Sequence, residues 1–152
     1  MGHMNHNEDY PEDYLAKILK EVKTIAMVGA SPDPTKFSYG VLRVLHEQGY
    51  NMKPVNPKPD VTEIRGLPVF NTIADVDEPI DMVQVFRASA ALNGIADEAI
   101  AAGAKVLWAQ IGVFDEEAAR KCEDAGMRVV MNRCPKIELF RPFWKPKLDL
   151  AI

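Results

Sequence analysis

Cysteine is scarce in this chain: among 152 residues only Cys122 and Cys134 carry a thiol. Two such residues make neither a disulfide framework nor a zinc-ligand spacing, so the expected home is a reducing compartment, the cytoplasm. Long apolar runs are missing too; the longest fall far short of the roughly 20 residues of a membrane span. Positive charge is not in excess. The formal net charge is −4, which argues against a general nucleic-acid surface and leaves room only for a local basic site. No metal-ligand cluster and no Ser–His–Asp order stands out, so neither a metal site nor a catalytic residue is nominated. Nothing at the start reads as a signal peptide. Met1-Gly2-His3-Met4 has the look of an expression-vector remnant and is set aside from fold reasoning.

What is present is the composition of an ordinary soluble globule, 47% hydrophobic and 26% charged. At this length one domain is expected, burying roughly 70% of its unfolded surface. Residues 1–9 read as the remnant plus a loose polar start, 10–140 as the domain, and 141–152 as an irregular arm. Pro142 and Pro146 interrupt that arm among Phe143, Trp144, Leu148 and Leu150.

The chain is organised around Thr24 to Pro34. Ile25 to Val28 is an uncharged run, as expected of a strand covered on both faces. Gly29 permits a sharp turn and close backbone approach. Ser31 and Pro32 lead toward a helix starting near Ser38, whose N-terminus can face an anion. Before this, Tyr10 to Val22 carries Leu15, Ile18, Leu19 and Val22 at helical spacing, and that helix is expected to cover one edge of a sheet. Afterwards come a helix from Ser38 to Gly49, a strand from Met52 to Val55, and a short third strand within Ile64 to Phe70. A helical turn at Thr72 to Val76 and a strand from Asp81 to Phe86 follow. The rest reads as a helix from Ala88 to Ala102, a strand from Lys105 to Ala109, a helix from Asp115 to Ala125 and a strand from Met127 to Met131. Asn132-Arg133-Cys134-Pro135 then opens a short helical piece ending at Phe140.

Strands alternating with helices at short connections predict an α/β domain: three-layer, Rossmann-like, with a doubly wound, mostly parallel sheet of five to six strands. Ligands of such sheets lie beyond the carboxyl ends of the strands. The unusual loops all fall there: Gly29 to Phe37, Asn56 to Pro59, Arg87 to Ser89, Gln110 to Gly112, and Asn132 to Pro135.

Two further absences narrow the ligand. The dinucleotide fingerprint needs three glycines and an acid after the second strand. Here Gly29 is followed by Ala30-Ser31-Pro32, and the acid is replaced by Asn56-Pro57-Lys58. A lysine there suits a ribose that carries a phosphate. NADP, with a 2′-phosphate, and coenzyme A, with a 3′-phosphate, both qualify. Lys36 and Arg87 on neighbouring loops add positive charge.

Several motifs together carry a resemblance. They are Val28-Gly29-Ala30-Ser31 with Lys36, Ser38 and Tyr39; Val55-Asn56-Pro57-Lys58; Gly66 to Thr72; Val85-Phe86-Arg87; Trp108 to Gly112; and Asn132-Arg133-Cys134-Pro135. In their order and spacing, from about Leu15 to Phe140, the chain resembles the small stand-alone CoA-binding proteins. It is similar also to the amino-terminal CoA-binding domain of the succinyl-CoA synthetase alpha subunit and of NDP-forming acyl-CoA synthetases. The resemblance implies binding of coenzyme A or an acyl-CoA by a carrier, sensor or regulatory protein. It implies no ligase reaction, because the phosphorylated-histidine domain and the nucleotide-grasp subunit of those enzymes have no counterpart here, and His46 lies on a helix flank.

By the same resemblance, Gly29, Ala30, Ser31 and Pro32 with Lys36, Ser38 and Tyr39 would hold the diphosphate. Asn56, Pro57 and Lys58 would lie along the adenosine, with Lys58 near the 3′-phosphate. Val85, Phe86 and Arg87 would form the wall beside adenine and phosphates, and Gln110, Ile111, Gly112, Asn132, Arg133 and Cys134 would line the pantetheine end. Cys134 reads as a small buried residue in preference to a thiol that exchanges with CoA, and Trp108 reads as core. An NADP-dependent oxidoreductase is one alternative. Another is a CoA-binding subunit that docks onto a separate acyl-CoA ligase, through the tail around Trp144. A homo-oligomer is a further possibility for partners.

Overall fold

A computed structural model describes residues 3–140; the tail from Arg141, including Trp144, lies outside the described residues. The elements in order are α1 (Glu12–Glu21), β1 (Thr24–Val28), α2 (Phe37–Glu47), β2 (Asn51–Val55), β3 (Glu63–Ile64), β4 (Leu67–Pro68), a 3₁₀ turn (Ile73–Asp75), β5 (Met82–Val85), α3 (Ser89–Ala101), β6 (Val106–Ala109), α4 (Glu116–Asp124) and β7 (Arg128–Val130). Residues 135–140 begin another helix.

Five strands form one sheet in the order β2-β1-β5-β6-β7, every neighbouring pair parallel. The chain runs outward from β1 to β2, then returns past β1 to β5 and runs outward on the other side. That reversal places the topological switch point between β1 and β5. It also sends the helices to opposite faces. Ile25, Met27, Met82 and Trp108 pack with α1 and α2, whereas Ala26, Val83, Leu107 and Val129 pack with α3 and α4. Alternation along each strand is what divides the two cores. Since both faces are covered, β1, β5 and β6 are buried throughout, which is why their sequences are uncharged and apolar apart from Thr24 and Gln84.

The expected third strand is not part of this sheet. Arg65 and Gly66, with φ of 53° and 79°, turn Glu63–Ile64 back onto Leu67–Pro68 as a separate antiparallel ribbon of two residues a strand, β3–β4. Only Phe70 returns to bridge Val55 on the edge strand β2. Pro54 has no N–H to donate and is tolerated because β2 is an edge.

The other edge, β7, is covered by α1, as expected of that helix. Tyr14 Oη donates to Val129 O (2.8 Å) and accepts from Val129 N (3.1 Å), while Tyr10 Oη accepts from Met131 N at 2.8 Å. These phenols satisfy ladder groups that an open edge would leave to another chain. Burial, the larger influence, pushes the Tyr14 hydroxyl up to about 12. Within residues 5–9, expected to be loose, His6 anchors on the fold. His6 is buried, with Nδ1 2.6 Å from Tyr10 Oη and Nε2 3.3 Å from a Glu123 carboxylate oxygen on α4.

Candidate functional site

Three strands meet at Gly29. Its N–H donates to Val55 O (3.1 Å), and one residue earlier Val28 O accepts from Phe86 N (2.8 Å). Its φ is +87°, and a Cβ added here would lie 2.3 Å from Phe86 O. Only glycine fits, for lack of space as well as for its backbone angle. The following loop is braced from within. Ser31 Oγ accepts from Asp33 N (3.1 Å), and Asp33 Oδ1 accepts from Thr35 N and Thr35 Oγ1. These bonds to the ionised form hold the Asp33 carboxyl below its ordinary range. Lys36 caps the start of α2 and is exposed.

The β2 loop is tied to this turn. Asn56 Nδ2 donates to Ala30 O (2.8 Å), Asn56 Oδ1 accepts from Lys58 N (2.9 Å), and Asn71 Nδ2 reaches Asn56 O and Lys58 O. The backbone of Asn56 to Lys58 is thus fixed while the Lys58 ammonium stays in solvent. Arg87, at the end of β5, is exposed as well. Lys36, Lys58 and Arg87 therefore stand on the segments that follow three adjacent strands, Lys36 at the start of α2, and among the described residues none of the three makes a salt bridge.

Between these tips and α3 opens a cleft of about 330 Å³, lined by Val28, Val55, Pro57, Asn71, Thr72, Ile73, Arg87, Ala91, Gly94, Ile95 and Glu98. The cleft thus joins Pro57 and Arg87, both expected in the site, to Asn71 and Thr72, which the resemblance motif contained without a role, and to Gly94 and Glu98, which sequence reasoning missed. One signal for Gly94 was available. A glycine inside a helix costs about 1 kcal/mol relative to alanine, and nothing lies within 4 Å of where its Cβ would be. Arg65 was missed too; its guanidinium lies over the Tyr39 ring, 5.8 Å from the centroid.

The loops after β6 and β7 brace each other. Asn132 Oδ1 accepts from Gly112 N (2.7 Å), and Asn132 adopts a left-handed φ of 58°. Ile111 projects from this loop, 56% exposed. Gln110 Oε1 accepts from Gln84 Nε2 at 3.0 Å. Arg133 goes elsewhere: its guanidinium stacks on the Tyr10 ring at 5.1 Å from the centroid and reaches Asp9 at 3.5 Å. Ala30, Ser38, Val85 and Cys134 are buried, so Ala30 and Val85 can offer a ligand only their backbone. Trp108 is fully buried, with Nε1 donating to Arg133 O. His46 is exposed on α2.

A parallel sheet whose switch point carries a glycine turn, flanked by helices on both faces, defines the Rossmann-like class. Within that class, residues 23–139 match the family described as CoA binding domain, and the chain belongs to it. An uncharacterized Bacillus subtilis (strain 168) protein, YneT, is 38% identical over 123 residues, which is 81% of this chain and 90% of that protein. The solved structure of a hypothetical protein from Pyrococcus horikoshii OT3 superposes with a TM-score of 0.84 at 33% identity, covering 93% of this chain and 98% of that one. The alpha subunit of acetate–CoA ligase (ADP-forming) I from Pyrococcus furiosus is 30% identical over 89 residues, 56% of this chain but only 19% of that subunit. The resemblance to the CoA-binding domain of NDP-forming synthetases is therefore borne out.

Proposed function

We propose that the protein binds coenzyme A or an acyl-CoA across the carboxyl ends of β2, β1, β5 and β6, as a carrier, sensor or regulatory protein without a ligase reaction of its own. One observation carries this reading. The segments that follow three adjacent strands each present an exposed cation that, among the described residues, makes no salt bridge, around a glycine turn, and Asn56-Pro57-Lys58 stands where an acid at the end of β2 would meet a bare ribose. An anionic, phosphorylated nucleotide is the complementary ligand. In this reading Lys58 meets the 3′-phosphate. The turn from Gly29 to Pro32, Lys36 and the α2 N-terminus meet the diphosphate. Pro57, Asn71 and Thr72 flank the base, and Gln110 and Ile111 face the pantetheine arm. Family membership supports coenzyme A over NADP, and the matched portion of an acetate–CoA ligase supports it too.

Thermal shift with CoA, acetyl-CoA, NAD and NADP tests the reading. A ligand at 100 times its Kd adds about 2.7 kcal/mol to stability, so CoA and acetyl-CoA are expected to raise the melting temperature by several degrees and NAD by none. An NADP shift equal to that of CoA, or no shift with any of them, would overturn it.

A further inference from the structure

Gln84 is an anomaly in its strand. It interrupts the apolar run Met82-Val83-Gln84-Val85, is fully buried, and sits in register between Met27 of β1 and Trp108 of β6. Its Nε2 donates to Gln110 Oε1, yet its own Oε1 has no hydrogen-bond partner. Two primary amides side by side can close a reciprocal pair with two hydrogen bonds. Gln84 and Gln110 make only one. The pair is left with one unpaired acceptor, on Gln84, and one donor, Gln110 Nε2, that no described residue takes up. Turning both amides over leaves the same count, one donor and one acceptor.

A buried acceptor without a partner costs about 1–3 kcal/mol. Such an atom at the switch point of a parallel sheet calls for a partner that the folded chain does not supply. The complementary group is a secondary amide, which offers one N–H and one C=O. Gln110 is the first residue beyond β6, and Gln84 lies one residue before the end of β5. Both therefore sit on the side of the crevice away from Lys58, three strand spacings or about 14 Å from the β2 tip to the β6 tip.

We infer that Gln84 and Gln110 together receive a secondary amide of the pantetheine arm: its N–H donates to Gln84 Oε1, and its C=O accepts from Gln110 Nε2. This rests on the coenzyme A reading above. The pair completes a three-amide ring, fixes the register of the arm, and thereby sets where the thiol or thioester stops. It reads the arm, whereas the cations read the nucleotide.

The test is calorimetric titration of CoA and of 3′,5′-ADP, which lacks the arm, into the wild-type chain, Gln84→Met and Gln110→Glu. Methionine conserves volume and removes the unpaired acceptor, so Gln84→Met is expected to melt no lower than wild type. Glutamate at position 110 still accepts from Gln84 but cannot donate to a ligand carbonyl. Each variant is expected to weaken CoA about tenfold while 3′,5′-ADP binds as before. An unchanged ratio of the two affinities in Gln110→Glu, or an equal loss for both ligands, would overturn the inference and leave the CoA reading standing. A wild-type chain that binds neither ligand would overturn both. Should Gln84→Met fail to fold, Gln110→Glu alone decides.

Discussion

The two ends of the sheet treat charge in opposite ways. At the amino end it is neutralised in place. Asp81 Oδ2 accepts from Lys23 N and Thr24 N, and its other carboxylate oxygen lies 3.9 Å from Lys105. Arg128 meets Glu21 at 2.8 Å, and Lys53 is clasped by Glu78 and by Asp77 (3.2 Å). At the carboxyl end Arg133 pairs with Asp9, but Lys36, Lys58 and Arg87 are exposed and make no salt bridge among the described residues. Charges that serve the fold are satisfied by the fold. In the proposed reading, the charges left open beyond three neighbouring strands are satisfied by a ligand.

That contrast can be broken most severely at Gly29. A side chain there meets Phe86 O at 2.3 Å and requires a left-handed backbone. Gly29→Ala is expected to cost about 3 kcal/mol or more, read as a fall in urea midpoint. Gly112→Ala has a similar φ but open space around it, so its cost should stay near 1–2 kcal/mol. Equal losses would show that close packing at the turn is not what demands glycine.

Lys58→Ala sharpens the contrast from the binding side. Loss of one charge-assisted contact to a phosphate should weaken CoA about tenfold, with dephospho-CoA nearly unchanged. The melting temperature of the free protein should move little, because the hydrogen bonds at Lys58 are made by its backbone, which alanine keeps. Equal weakening of both ligands would remove Lys58 from the 3′-phosphate.

Next in size is the edge cover of β7. Tyr10→Phe strips Met131 N of its acceptor and should cost about 1 kcal/mol, without changing affinity for CoA. The smallest effect is at the Lys53 clasp. The Lys53 ammonium, together with Asn51, holds the Glu78 carboxyl below its ordinary 4.5. A depressed carboxyl contributes stability that is present above its unfolded value and lost as pH falls through the folded one. Glu78→Gln should therefore flatten the acid limb of the stability profile slightly and leave stability near its pH 7 value otherwise unaltered in slope. An unchanged acid limb would mean that the clasp adds nothing at low pH.

Most of the fold was legible because periodicity reports burial directly. The uncharged, largely apolar runs of β1, β5 and β6 follow from helices on both faces, and Asp115 accepting from Ala118 N is the cap its residue type announced. The ribbon at Arg65-Gly66 was misjudged as a strand of the main sheet, since an apolar run of that length does not say which neighbour it pairs with. The phenols of Tyr10 and Tyr14 were illegible for another reason: they bond to backbone more than 100 residues away. At the site, the turn and the three cations could be read from loop chemistry. Asn71 and Thr72 stood in one of the motifs, but their place, like that of Gly94, could not be read, because the cleft exists only once the segment after β4, the 3₁₀ turn and α3 have been brought together. Arg133 was assigned to the ligand by its motif, but its guanidinium has the Tyr10 ring to cover.

A crystal grown or soaked with coenzyme A examines the central claim most directly. The expected result is density lying over the carboxyl ends of β2, β1, β5 and β6, its ribose phosphate against Lys58 and its arm over Gln110. Density anywhere else on the molecule, or a crevice that stays empty at saturating ligand, would contradict it.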